Sequence, residues 1–214
     1  MDLAQLTARL NRGSGRAAKR IGIMVSHHRA VSPLFPLKTK PVQRLYASFT
    51  TDYGYRRSAR FGQAARIGIF DATHFQVGDF LVSPDEGVLY VAAMPPLQPI
   101  LCVKADRTIT LKRTTVAGNE AGIQDYGGTR PDREKVLMEG WPASILLHRS
   151  GEHTPVRLPG DTRSAWFGIL MPAFGHLHIR AGDLITDDCG ERYVLTGAEL
   201  TDMGWRLAVM RLTI

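Results

Sequence analysis

Apolar and polar positions divide this chain into a helical beginning and a β-patterned remainder. Leu3, Leu6 and Leu10 recur at helical spacing behind Asp2, a residue type that caps helix starts. Gly13-Ser14-Gly15 is expected to end that helix near residue 12, with a further helical turn over 16–20. From Arg66 onward, short branched-apolar segments alternate with turn residues at hairpin spacing. The pattern predicts strands at Arg66–Phe70, Asp79–Val82, Val88–Ala93, Ile100–Lys104 and Thr108–Lys112. It predicts a second set at Ala143–His148, Ala165–Leu170, Leu177–Arg180, Asp183–Thr186, Arg192–Leu195 and Arg206–Leu212.

Two stretches break the pattern. Residues 31–60 are rich in Pro, Tyr and Arg, and Pro33, Pro36 and Pro41 forbid a long helix there. Irregular chain of that length is unusual inside a compact domain, so an extended arm is expected. Residues 114–140 are Gly-rich and polar and read as a linker or long surface loop. The expected organisation is a helix and basic arm over 1–60, a first β-module over 61–113, a linker over 114–140 and a second β-module over 141–214. The fold class is mainly β, with two tandem small β-barrel or β-sandwich modules, a short N-terminal helix and an extended arm.

The two modules echo each other. Gly78-Asp79 corresponds to Gly182-Asp183, each followed by an apolar strand, an acidic turn containing Gly and a Tyr-Val pair. In this alignment Tyr90-Val91 matches Tyr193-Val194, and Asp85-Glu86-Gly87 matches Asp188-Cys189-Gly190. Gly78, Asp79, Gly182 and Asp183 are therefore structural turn residues. Asp79 and Asp183 are expected to accept backbone hydrogen bonds at the entry to a strand.

That repeat bears on the stretch GDLITDDCGERYVL, whose acids otherwise suggest a metal loop. It lacks the bidentate Glu of an EF-hand at the right distance. Turn chemistry accounts for Asp187, Asp188 and Gly190. His176 and His178 would share one face of a strand and could bind zinc with a third ligand, but no paired Cys or further His stands at metal spacing. His27 and His28 would point to opposite faces of a strand, and His74, His148 and His153 are isolated. NRGSGRAAKR resembles a phosphate loop only in its glycines, and MPPLQP at 94–99 reads as a kink or sheet edge. No nucleophile elbow, nucleotide loop or metalloprotease motif occurs. No catalytic, cofactor-binding or metal site is expected. The enzyme alternative would be a metal-dependent one built on Asp183, Asp187, His176 and His178.

Charge changes the picture at one end only. Residues 1–60 hold twelve Lys/Arg against two acids, +10, while the remaining residues hold fifteen against eighteen, −3. Such a basic segment suits an anionic surface, either nucleic acid or an acidic protein. Arg12, Arg16, Lys19, Arg20, Arg56, Arg57 and Arg60 are the expected contacts. Leu34, Phe35, Tyr46, Phe49, Tyr53 and Tyr55 are the expected anchors of the arm on a neighbouring subunit. The same Tyr/Arg interleaving would suit single-strand binding by stacking. Two cysteines, Cys102 and Cys189, make no disulfide framework, and no apolar run reaches the ~20 residues of a membrane span. The N-terminus has no apolar signal core, so a reducing cytoplasm is the expected setting.

Residues 140–212, together with 60–113 and LNRGSGRAAKRIG at 10–22, resemble uncharacterised prophage proteins encoded among virion genes. More loosely, the Gly-Asp-x-Ile, Gly turn, Tyr-x-Val/Leu pattern is similar to head-closure (stopper) and other head–tail joining proteins of tailed phages. The resemblance implies small β-barrel or β-sandwich subunits in a ring homo-oligomer, hexameric or dodecameric. It also implies portal, adaptor or tail-terminator neighbours, DNA passing through the lumen and no membrane. The protein would reside in the virion neck after assembly in the host cytoplasm. This chain is longer than a typical stopper and doubled, which keeps a tail or baseplate role open. A nucleic-acid-binding β-barrel protein is the other alternative.

Overall fold

A computed structural model describes residues 2–51, 64–114, 134–147, 166–175 and 177–212. Helix α1 (Leu3–Ile21) precedes twelve strands. The first six are β1 (Ile23–His28), β2 (Gln43–Thr50), β3 (Ala65–Ile69), β4 (Phe80–Ser83), β5 (Gly87–Ala93) and β6 (Ile100–Ala105). The second six are β7 (Arg107–Thr114), β8 (Glu134–Leu147), β9 (Trp166–Met171), β10 (Leu184–Asp187), β11 (Arg192–Thr201) and β12 (Gly204–Arg211). They close into two antiparallel barrels, ordered β1-β2-β3-β6-β5-β4 and β7-β8-β9-β12-β11-β10. The second order is the first advanced by six strands, so the chain is a tandem repeat of one topology. Among the described residues, closure pairs each strand with a neighbour on both sides and leaves no open sheet edge. The expected mainly-β class with two tandem barrels and an N-terminal helix is the observed one.

The barrels differ from expectation in where they begin. β1 and β2 lie within the stretch read as helix and arm, yet both pair inside the first barrel, β1 with β2 and β4, β2 with β3. The prolines belong to the connection of this hairpin rather than to an arm: Pro33, Pro36 and Pro41 all fall between β1 and β2. At the other boundary, β7 opens the second barrel instead of closing the first, and 134–140 belong to the long strand β8 rather than a linker. Leu177–Arg180 is a loop segment, not a strand.

Helix α1 does not stop at Gly13-Ser14-Gly15. It runs to Ile21 and ends where the Gly22 N–H reaches the Ala18 carbonyl at 2.7 Å. Small residues let its C-terminal half press onto the first barrel. A Cβ on Gly22 would meet the Ala47 carbonyl at 2.4 Å, and one on Gly15 would meet Asp71 Cβ at 2.9 Å. Ala18 is the buried residue of the helix.

Alternation along each strand separates two apolar faces. Leu81, Leu89, Val91 and Cys102 fill the first barrel with Val25, Phe70 and Phe75. Phe80, Tyr90 and Val103 point the other way and join the core that contains Trp141, Ile169 and Leu207 of the second barrel. The Phe80 ring meets Trp141 edge-on at 5.6 Å. Register places Leu184, Val194 and Met210 in the row corresponding to Phe80, Tyr90 and Val103. Tyr193 therefore corresponds to Leu89 and faces into its own barrel, one position off the alignment that paired it with Tyr90. A one-residue slip reverses the face of a strand residue.

Segment 33–35 ties the barrels together. The Phe35 N–H donates to the Glu139 carbonyl at 2.7 Å, and the Glu139 N–H donates to the Pro33 carbonyl at 3.1 Å. Phe35 takes φ 51°, and its ring lies against Gly140, where a Cβ would meet Phe35 Cδ1 at 2.5 Å.

Candidate functional site

The Gly-Asp pairs are the most elaborated polar feature of each barrel. In the first, Gly78 has φ 93° and donates its N–H to Val91 O at 2.8 Å, and Val91 N–H returns to Asp79 O at 2.9 Å. The Asp79 carboxylate accepts the Gln76 N–H at 2.9 Å. It also accepts Arg29 Nε on Oδ1 at 2.8 Å and Arg29 Nη2 on Oδ2 at 2.6 Å. Arg29 Nη2 donates in addition to His74 O at 2.9 Å.

The second barrel repeats this bond for bond. Gly182, at φ 90°, bonds Leu195 O, and Leu195 N–H returns to Asp183 O. Asp183 accepts the Arg180 N–H at 3.0 Å and Arg113 Nε and Nη2 at 2.7 and 2.8 Å. Arg113 Nη2 also reaches His178 O at 2.8 Å. Each arginine thus ties the C-terminal end of β1 or β7 to the loop before the strand paired with it, β4 or β10. Asp79 and Asp183 are both about 1% exposed, so the carboxylates are spent on internal bonds.

One difference separates the copies. His27 of β1 stands where Leu111 stands in β7, opposite Leu81 and Ile185 respectively. Its Nε2 lies 2.9 Å from Asp79 Oδ2 and its ring stacks on Phe75 at 3.9 Å. Burial alone would raise the Asp79 pKa. Hydrogen bonds from Arg29, His27 and the Gln76 N–H outweigh it and hold the carboxyl below its ordinary value. His28 faces the opposite way, is 8% exposed and leaves Nδ1 without a hydrogen bond. Burial lowers its pKa, against a hydrogen bond to the Thr39 backbone that raises it.

The acids of GDLITDDCGERYVL serve a turn. Asp187 Oδ1 accepts the Cys189 and Glu191 N–H groups at 3.0 and 2.9 Å, and its Oδ2 accepts the Tyr193 hydroxyl at 3.1 Å. Ligand atoms of Asp187, Asp188 and Cys189 come within 4.8 Å of one another, but both Asp187 oxygens already have donors. Asp183 is bound to Arg113, away from this group, and His178 is an exposed loop residue. His176 lies outside the described residues. Among the described residues, Asp183, Asp187 and His178 are not gathered into one cluster of ligand atoms.

No protein-family model, curated protein or solved structure matches this chain.

An apolar groove of about 1090 Å³ opens on the surface of the described residues. One wall is the N-terminal half of α1, through Leu3, Thr7 and Leu10. The floor is the outward face of β3, through Ile67 and Ile69, and the far wall is the proline-rich segment 94–99. That segment, read from sequence as a kink, holds Leu97 at φ 58° with its side chain 45% exposed. Leu3, Leu6 and Leu10 are 51%, 37% and 42% exposed, more than an ordinary core helix shows.

The expected anchors scatter. Leu34 and Phe35 meet the second barrel of their own chain, with Lys38 Nζ 3.6 Å above the Phe35 ring. Phe49 packs on the first barrel near Phe70. Tyr46 is 39% exposed beside Met24, its partner across β1 and β2. Of the expected cationic contacts, Arg12, Arg16, Lys19 and Arg20 are exposed on α1. Tyr53, Tyr55, Arg56, Arg57 and Arg60 lie outside the described residues. Sequence reasoning missed Arg29 and Arg113. Arg29 precedes its aspartate by 50 residues and Arg113 by 70, so no common spacing marks them.

Proposed function

We propose that this chain is a structural subunit of a tailed-phage or prophage virion, a neck or head–tail connector component that assembles as a ring. The observation that carries the reading is the open apolar groove between α1 and β3. It is large, it is walled by leucines on a helix that buries little of itself, and the carboxylate clusters of the described residues are occupied by internal bonds. Closed barrels have no edge strand to offer, so association must use side-chain surfaces of this kind. The resemblance of 10–22, 60–113 and 140–212 to prophage virion proteins supports the same class, and a tail or baseplate ring would use the groove in the same way.

The test is native mass measurement of the 23.7 kDa chain and of a Leu3→Asp/Leu10→Asp variant. The wild type should form a closed oligomer and the variant should be monomeric with its barrels folded. A wild type that stays monomeric at tens of micromolar, alone and with portal or tail-terminator proteins, overturns the reading. Deleting residues 1–60 would not serve, because it removes β1 and β2 from the first barrel.

A further inference from the structure

We propose that the outward face of α1 binds the backbone of duplex DNA. Arg9, Arg12, Arg16, Lys19 and Arg20 are all exposed. At 3.6 residues per turn they occupy about 100° of the helix surface. That sector lies away from Ala18 and Gly15, which face the first barrel, and away from Leu3 and Leu10, which line the groove.

Among the described residues these five charges have no carboxylate partner, unlike many cations of the barrels. Arg29, Lys104, Arg107, Lys112, Arg113, Arg192, Arg206 and Arg211 of the barrels all stand within 4.0 Å of a carboxylate. Among the described residues, none of the five helix cations does, and Arg12 Nε finds only the Ala8 carbonyl. Their spacing sets Arg9 against Arg12, Arg12 against Arg16, and Arg16 against both Lys19 and Arg20 at i,i+3 or i,i+4. Like charges at those positions destabilise a helix. The stretch also keeps two interior glycines, each less favourable than alanine. A polyanion removes the repulsion.

Dimensions and chemistry favour DNA. From Arg9 to Arg20 the helix advances about 16 Å, and one DNA strand carries a charge every ~3.4 Å of axis, so about five phosphates lie alongside five cations. Four of the five are arginine, whose forked donors suit phosphate oxygens. α1 has no aromatic residue, so base stacking on single strands has no platform there. Of the exposed leucines of α1 only Leu6 borders the cations, whereas Leu3 and Leu10 line the groove, so a lipid surface would find little apolar area beside the charges.

The inference shares an outward-lying α1 with the assembly reading but does not need a ring. A monomer that binds DNA through α1 keeps this inference and loses that reading, and a ring indifferent to DNA does the reverse. The experiment is fluorescence anisotropy of the full chain with a mixed-sequence 20-base-pair duplex across a salt series. The comparison is Arg9→Gln/Arg12→Gln/Arg16→Gln/Arg20→Gln, with Lys40→Gln/Arg44→Gln/Lys135→Gln/Arg180→Gln removing equal charge from exposed sites off the helix. The α1 variant should bind at least about tenfold more weakly at low salt and flatten the slope of log K against log salt by about 3 to 4. The off-helix variant should change far less. Circular dichroism of both verifies folding. The proposal is overturned if the wild type does not bind at 50 mM salt or if both variants lose binding equally. It is also overturned if anionic phosphatidylserine vesicles bind α1 and the duplex does not.

Discussion

Arg113 holds Asp183 through two parallel hydrogen bonds of 2.7 and 2.8 Å, as Arg29 holds Asp79 in the other barrel. Each aspartate is buried and each arginine is partly exposed; Asn keeps one acceptor oxygen but removes the charge and turns the other oxygen into a donor facing donors. Asp79→Asn and Asp183→Asn should each lose about 2 to 4 kcal/mol of stability in urea denaturation. A loss under about 0.5 kcal/mol, the scale of a surface change, would show that the clamps do not hold the barrels.

Asp79 also fixes an acid response. Its folded-state pKa is depressed, so its contribution is complete above the ordinary carboxylate pKa and is lost as pH falls through the folded value. Stability should therefore decline with acid below about pH 4. Asp79→Asn should show a shallower decline than wild type over that window.

His28 acts at higher pH and with the opposite preference for the proton. Burial lowers its folded pKa, so the unfolded chain takes up the proton first, at about pH 6.5. Stability should fall as pH drops through that value and level off once the folded ring is protonated. His28→Phe should remove this component from thermal melts recorded between pH 7.5 and 5.5, while leaving the acid limb of Asp79 in place.

The barrel–barrel contact has a narrow point at Gly140. Its φ of 64° and the Phe35 ring leave no space for a methyl group. Gly140→Ala should destabilise the chain by about 1 to 3 kcal/mol through strain and displacement of Phe35. Phe35→Ala in the same background should recover part of that loss, since it removes the clash. An additive double mutant would mean the two residues do not meet.

Thiol chemistry separates the two cysteines. Cys102 is buried in the first barrel and burial pushes its pKa up to about 12, whereas Cys189 is exposed in a turn. A disulfide reagent at neutral pH should label one thiol per chain quickly, and Cys189→Ser should abolish that phase. The second thiol should react only on unfolding.

Much of the architecture was legible in residue order. The predicted strands from Arg66 to Lys112 fall on β3 to β7, because each is a short branched-apolar run between turn residues. The Gly-Asp repeat marked equivalent places in the two barrels. β1 and β2 were not legible, since IMVSHH carries two histidines on alternating faces and QRLYASFT begins just after a proline-marked loop. Helix α1 passed its expected stop because contacts of Gly15, Ala18 and Gly22 with the barrel outweigh the local cost of two glycines. The Arg–Asp clamps were half visible: the aspartates stand out, but their arginines lie just after β1 and within β7, at unequal distances.

By itself the sequence determined what local periodicity and local chemistry determine: a β-rich doubled chain, a leucine-bearing basic helix at its start, and aspartates placed at turns. Only the tertiary structure decided which strands close each barrel, which arginine meets which aspartate, and that Tyr90 faces the second barrel while Tyr193 faces into it. Those outcomes depend on register and on pairings between residues 50 or more apart, and a shift of one residue reverses the face a side chain presents.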